Sequence, residues 1–255
     1  MKKVLLILVG MHSAAFSMEK YSPLEMKKII VKELVRKEIA EEERKKEVDN
    51  AVIHFDDEKG VIAANGTIFI VDYKKGVIDK QLIMQSRNAQ NKNPAIVALC
   101  SIKNMLGSAN ELFLMAEEKG RILLLDEKEC ELKMIGDVHG RVLSIAGNPA
   151  GNQIAVHFTQ NSAEKSISSI ALSVAYTRKK MEAKINADKS RTWYTKDIWQ
   201  WTQFITKHFD YEIEAITFEE EQLIVHSADY WENWFIKNPE NNPEFVLNIT
   251  MKKPK

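Results

Sequence analysis

The chain is poor in the residue patterns that usually announce chemistry. It has two cysteines, Cys100 and Cys130, and no C-x-x-C pair, which removes the usual warrant for a zinc ribbon or a thioredoxin-like site. There is no HExxH, no histidine pair at ligand spacing and no His-rich tract, so a metal centre has no support in the sequence. HFDDE (54–58) reads as a strand end entering a solvated turn. No G-x-S-x-G elbow occurs, and the GSAN loop (107–110) lacks the Lys and the following helix of a phosphate cradle. Net charge is missing too: 36 Lys plus Arg balance 36 Asp plus Glu, so no whole-molecule field attracts nucleic acid or an anionic membrane. With 10 Gly, 6 Pro and no low-complexity tract, the composition is that of a folded chain. No catalytic residue, metal or cofactor is nominated.

No apolar run reaches the ~20 residues of a membrane span. The first residues, MKKVLLILVGMHSAAFS, instead have the order of a signal peptide. Lys2 and Lys3 start it, Val4 to Val9 are apolar, and Ala15-Phe16-Ser17 is a small-x-small site. Residues 1–17 are therefore expected to be removed. The mature chain would be secreted or periplasmic, with no stable membrane span after cleavage. In an oxidising compartment Cys100 and Cys130 could form one bridge or stay as two buried thiols, and both readings stay open.

After the signal comes the one strong helical pattern. Ser22-Pro23-Leu24-Glu25 is a capping box, and Met26/Ile30/Leu34 and Val31/Val35/Ile39 form an apolar stripe. Glu33/Lys37, Glu41/Lys45 and Glu42/Lys46 are i,i+4 pairs, so the helix is predicted over 22–47, within an amphipathic helix and charged spacer at 18–48. Such a helix either packs on its own domain or docks a partner.

From residue 49 to 251 short β-branched runs alternate with turns. Four runs are predicted at 51–55, 60–64, 67–72 and 78–84, with Asn65-Gly66 as a hairpin turn. Four more fall at 95–102, 111–117, 121–126 and 130–135. A third set begins at 141–147, 153–158 and 166–175, before an insertion at about 176–211. A fourth lies at 212–218, 222–227, 231–237 and 245–251. GTIFIVD (66–72) and GRILLLD (120–126) are the same sentence written twice, each the third run of its set. The expected class is all-β: an array of about four four-stranded antiparallel blades behind one N-terminal helix, with a basic tail at 252–255.

These two segments resemble WD-repeat β-propeller blades. In that family the third strand ends in Trp-Asp before a Gly-containing polar turn, and Asp72 and Asp126 stand at the Asp position. Gly120 opens the second segment. His139 matches the His that precedes a first strand, and Asn148-Pro149-Ala150-Gly151 matches the turn between the first two strands. Val71 and Leu125 depart from the pattern, because the family has Trp there. Four blades rather than seven implies a small ring, an open arc closed by self-association, or a different blade count, for which insertions such as 176–211 leave room.

All five tryptophans lie in the last third of the chain. Trp199, Trp201, Trp231 and Trp234 are the candidates for a partner-binding surface, the alternative being that they fill the core. RKKMEAK (178–184) is expected as a solvated helix or loop face. The resulting expectation is a non-enzymatic module that binds a protein or peptide. The rival is a hydrolase or carbohydrate-binding protein using the Trp-rich region, and the plainest reading is a structural β-protein.

Overall fold

The computed structural model describes residues 22–39, 48–49, 51–55, 59–64, 67–83, 95–103, 111–126, 131–161, 166–185, 190–228, 231–237 and 246–252. The chain divides between Leu99 and Cys100 into two compact units. Strand dominates both, and among the described residues no helix is long and apolar enough to cross a membrane.

In the first unit, helix α1 (Pro23–Glu38) starts at the expected capping box. The Ser22 N–H donates to Glu25 Oε2 at 2.7 Å, and the Glu25 N–H donates to Ser22 Oγ at 3.3 Å. The helix is shorter than the predicted 22–47, because Ile39 is already extended. The physical reason lies in the stripe. Ile39 is its last apolar member, and AEEERKKE offers no further face to bury, so additional turns would gain little. The Glu41/Lys45 and Glu42/Lys46 pairs lie outside the described residues. Arg36 bonds both Glu33 and Asp49, and Lys32 donates to the Asp49 carbonyl, which ties the segment after the helix back against it.

The helix packs on the sheet of its own unit. Val31, Val35, Ile39 and Val48 form one cluster with Ile62, Ala64, Phe69 and Val71. Their sheet has the order β1 (Ile53–Phe55), β2 (Lys59–Ala64), β3 (Thr67–Asp72) and β4 (Val77–Ile83), antiparallel throughout. GTIFIVD supplies β3, which is buried from Ile68 to Asp72. Asp72 ends it as expected: it accepts from the Lys75 N–H at 2.8 Å and from Lys75 Nζ at 2.6 Å, closing the turn to Gly76. Asn65 and Gly66 lie outside the described residues.

A second four-stranded sheet runs β5 (Ile96–Lys103), β6 (Glu111–Glu117), β7 (Arg121–Asp126) and β8 (Glu131–Asp137). GRILLLD again supplies the third strand. Gly120, at φ +101°, could not be replaced without collision, since a Cβ there would sit 1.9 Å from the Val138 carbonyl oxygen. Asp126 ends β7 opposite Glu131. The sheet formed by β14 (Ala215–Glu219), β15 (Gln222–His226), β16 (Trp231–Lys237) and β17 (Val246–Lys252) has the same simple order.

The third sheet is the irregular one. It begins with β9 (Arg141–Gly147), which touches both β6 and β14, followed by β10 (Gln153–Asn161). Asn148 organises the turn between them. Its Oδ1 accepts from the N–H groups of Asn152 and Gln153, both at 2.9 Å, while Gly151 takes φ 76°. β11 (Ser166–Ile185) then runs for 20 residues. Its first half pairs with β10 on one side and β13 (Ile205–Phe209) on the other; its second half pairs only with β12 (Arg191–Trp201). Most described residues of the region expected as an insertion are therefore strand: β11 and β12 form an overlong pair whose outer half leaves the sheet as an arm. RKKMEAK is likewise extended rather than helix or loop, because Thr192, Trp193, Tyr194 and Thr195 opposite it favour a pleated pairing.

Candidate functional site

Three places in the second unit combine unusual side chains: a buried polar node, the exposed arm, and a cleft at the arm's root. The node is built around Glu232 on β16. Its carboxylate accepts from Lys207 Nζ at 2.9 Å, Tyr211 Oη at 2.8 Å and Trp234 Nε1 at 2.8 Å. Burial alone would raise this carboxyl, but the hydrogen bonds from Lys207, Trp234 and Tyr211 outweigh it and hold it below its ordinary value. Phe209 stacks on Trp234 at 5.8 Å, and the Lys207 ammonium lies 5.0 Å from the same indole. Lys207 belongs to β13 and Glu232 to β16, so the node clamps the third sheet to the fourth.

The node removes Trp234 from the aromatic surface expected for it, since the side chain is fully buried in the core with Phe209, Leu223 and Val225. Indole area is worth most where it is dry, and its N–H has Glu232. Trp231, three residues earlier, is 43% exposed and meets His226 edge-on at 5.1 Å. Trp199 stands opposite Thr177 in the arm, and Trp201 opposite Ala175 at its root. Trp201, Trp231 and Trp234 thus do not converge on one site. Trp193, which was not singled out, is the most exposed tryptophan described, at 59%.

The arm opposes eleven residue pairs, from Ala175↔Trp201 to Ile185↔Arg191, about 35 Å at the usual strand rise. Met181, Ala183 and Ile185 alternate with Glu182 and Lys184, and Trp193 stands opposite Ala183. Met181, Ile185 and Trp193 are 67%, 69% and 59% exposed, so these apolar side chains of the hairpin are uncovered. Among the charged residues of the arm the basic ones predominate. Residues 175–201 hold seven Lys or Arg against three Asp or Glu, a net charge of +4 in a chain whose total is zero.

At the root of the arm the partner strand gains one residue. Ala175 faces Trp201 but Leu172 faces Ile205, so a bulge lies between. Thr202 secures it: its N–H donates to the Val174 carbonyl, its Oγ1 accepts from the Val174 N–H at 3.0 Å, and its carbonyl accepts from Ser173 Oγ at 2.8 Å. The extra residue places Trp201, Thr206 and His208 on one face of the sheet. There they line a cleft of ≈ 460 Å³ with Phe158 and Gln160, opposite Gly136, Asp137 and His139.

Phe204 closes one wall. A Cβ on Gly136 would lie 2.5 Å from its ring, so the ring rests directly on the β8 backbone. His208 Nδ1 is 2.8 Å from Ser169 Oγ, which orients the imidazole and leaves Nε2 available. His139 is almost wholly exposed two residues before β9, with Nδ1 3.9 Å from Asp137 Oδ2. Of the earlier candidates, Trp201 and His139 share this cleft, although their sequence positions gave no sign of it.

Elsewhere, Cys100 is a free thiol, pushed up to about 12 by burial despite a hydrogen bond from the Gly147 backbone; Cys130 lies outside the described residues. Buried His157 bonds Ser168 at 3.0 Å, and burial pushes it down to about 4. His54 sits in β1 opposite Val61, while Asp56 and Asp57 lie outside the described residues. No three His, Cys, Asp or Glu side chains gather as a metal set among the described residues. No protein-family model and no curated protein matches the chain.

Proposed function

We propose that this is a non-enzymatic interaction module, exported after removal of residues 1–17, which presents the β11–β12 arm to a protein or peptide partner. The observation that carries the reading is the uncovered apolar set on the arm: Met181, Ile185 and Trp193 stand free on a two-stranded hairpin. A hairpin of that kind is marginal by itself in water, and large exposed apolar side chains are what a partner covers. Support for a WD-like propeller arrangement comes from the repeated third-strand sentence and from the contacts of β9 with β6 and β14. In that arrangement the sheets are the blades.

The test is capture of partners from the envelope and secreted fractions by the full chain, compared with a Met181→Ser/Trp193→Ser double variant. A partner retained by the first and lost by the second is the expected result. Equal recovery by both would remove the arm from the interaction. N-terminal sequencing of the mature protein, expected to begin at Met18, checks the export step.

A further inference from the structure

We propose that the cleft at the root of the arm is a binding site for a neutral carbohydrate of one or two sugar rings. Its volume of ≈ 460 Å³ suits a small ligand. Its construction is specific. The bulge secured by Thr202 brings odd-numbered Trp201 and even-numbered Thr206 and His208 to one face, where an unbroken register would have set them on opposite faces. Bulges are frequent where a strand must re-aim a side chain at a site.

The chemistry of the lining selects the ligand. Trp201 and Phe204 are both partly exposed, and Phe204 is held against the β8 backbone at Gly136. Two fixed aromatic surfaces suit the C–H faces of a pyranose. Around them stand Gln160, Gln203, Thr206 and His208, which supply neutral donors and acceptors for hydroxyl groups. Among the described residues Asp137 is the one carboxylate of the lining, and the titratable groups beside it are His139 and His208. An anionic ligand would meet Asp137 with no Lys or Arg among the described lining residues to hold it. A lone carboxylate also does not supply the acid and base, or acid and nucleophile, that glycoside cleavage ordinarily uses. The site therefore binds sugar without hydrolysing it.

The experiment is a titration of the full chain with maltose, cellobiose and N,N′-diacetylchitobiose, followed by tryptophan fluorescence and by saturation-transfer NMR. Saturable binding of at least one of the three is expected. Thr206→Trp, which fills the cleft from an exposed edge position, weakens it by about tenfold or more, as does Phe204→Ala, which removes one aromatic wall. Trp231→Phe, outside the cleft, leaves it unchanged. Absence of binding by all three sugars at roughly 10 mM overturns the proposal. So does binding that survives Thr206→Trp and Phe204→Ala, and so does tighter binding of glucuronate or glucosamine than of glucose.

Discussion

Glu232 gathers three side-chain hydrogen bonds in the second unit although no motif drew attention to it. Three donors, from β13, the bend after it and β16, converge on a nearly buried carboxylate. Glu232→Ala would strand the Trp234 and Tyr211 donors and leave Lys207 without its counter-ion. Because Lys207 keeps part of its exposure, the expected loss is about 2–3 kcal/mol, below that for a fully buried pair, and urea unfolding measures it. Trp234→Phe keeps the ring contact with Phe209 and drops one hydrogen bond, for about 1 kcal/mol. Gly120→Ala is expected to cost ~3 kcal/mol or more, since both its φ and the Val138 carbonyl oppose a side chain. Single residues were legible where turn chemistry is local, as at Asp72, Gly120 and Gly151. Glu232 was not, because its three partners lie as far as 25 positions away.

At the scale of elements, the strands of the first, second and fourth sheets lie close to where alternation and turns put them. Each is short and bounded by its own punctuation. The helix start was legible for the same reason, since the capping box lies within four residues. Ser22→Ala should therefore destabilise the first unit by about 1 kcal/mol in urea unfolding, a cost confined to the cap. The arm was misread because 176–201 carries a strand pairing inside a charged sequence, and charge looked like a solvated surface segment. Since its outer positions are exposed, the arm adds little to the core. Replacing residues 178–198 by a short turn should leave the melting temperature within a few degrees, about the shift of 1 kcal/mol. A collapse of the thermal transition would instead mean that the arm is integral to the third sheet.

For the molecule as a whole, acid is the condition that separates folded from unfolded chain. Burial lowers His157 from 6.5 to about 4, so the unfolded chain takes up the proton first. Its contribution is complete above pH 6.5 and is lost as pH falls from 6.5 toward 4, at up to about 1.4 kcal/mol per pH unit. Glu232 acts in the same direction at lower pH: its carboxyl is held below the ordinary 4.5, so its contribution is present above 4.5 and is lost as pH falls through its folded value. Urea midpoints between about pH 7.5 and 4.5 should therefore decline, and His157→Gln should flatten the decline between 6.5 and 4.5. An equal slope in both proteins would remove His157 from the account.

The amino-acid sequence by itself determined the class, the number and order of most strands, the turns that end them and the cap of the helix. Those depend on hydrophobic period and on the conformations of a few neighbouring residues. Only the tertiary structure decided that α1 stops at Glu38, that Trp234 is core, and that Trp201, Phe204 and His208 meet His139 across a cleft. Helix length follows from how much apolar surface the neighbouring sheet can cover. The cleft follows from a one-residue bulge between two paired strands and from the packing of one sheet against the next. Both are settled by contacts between residues far apart in the chain, which no local pattern encodes.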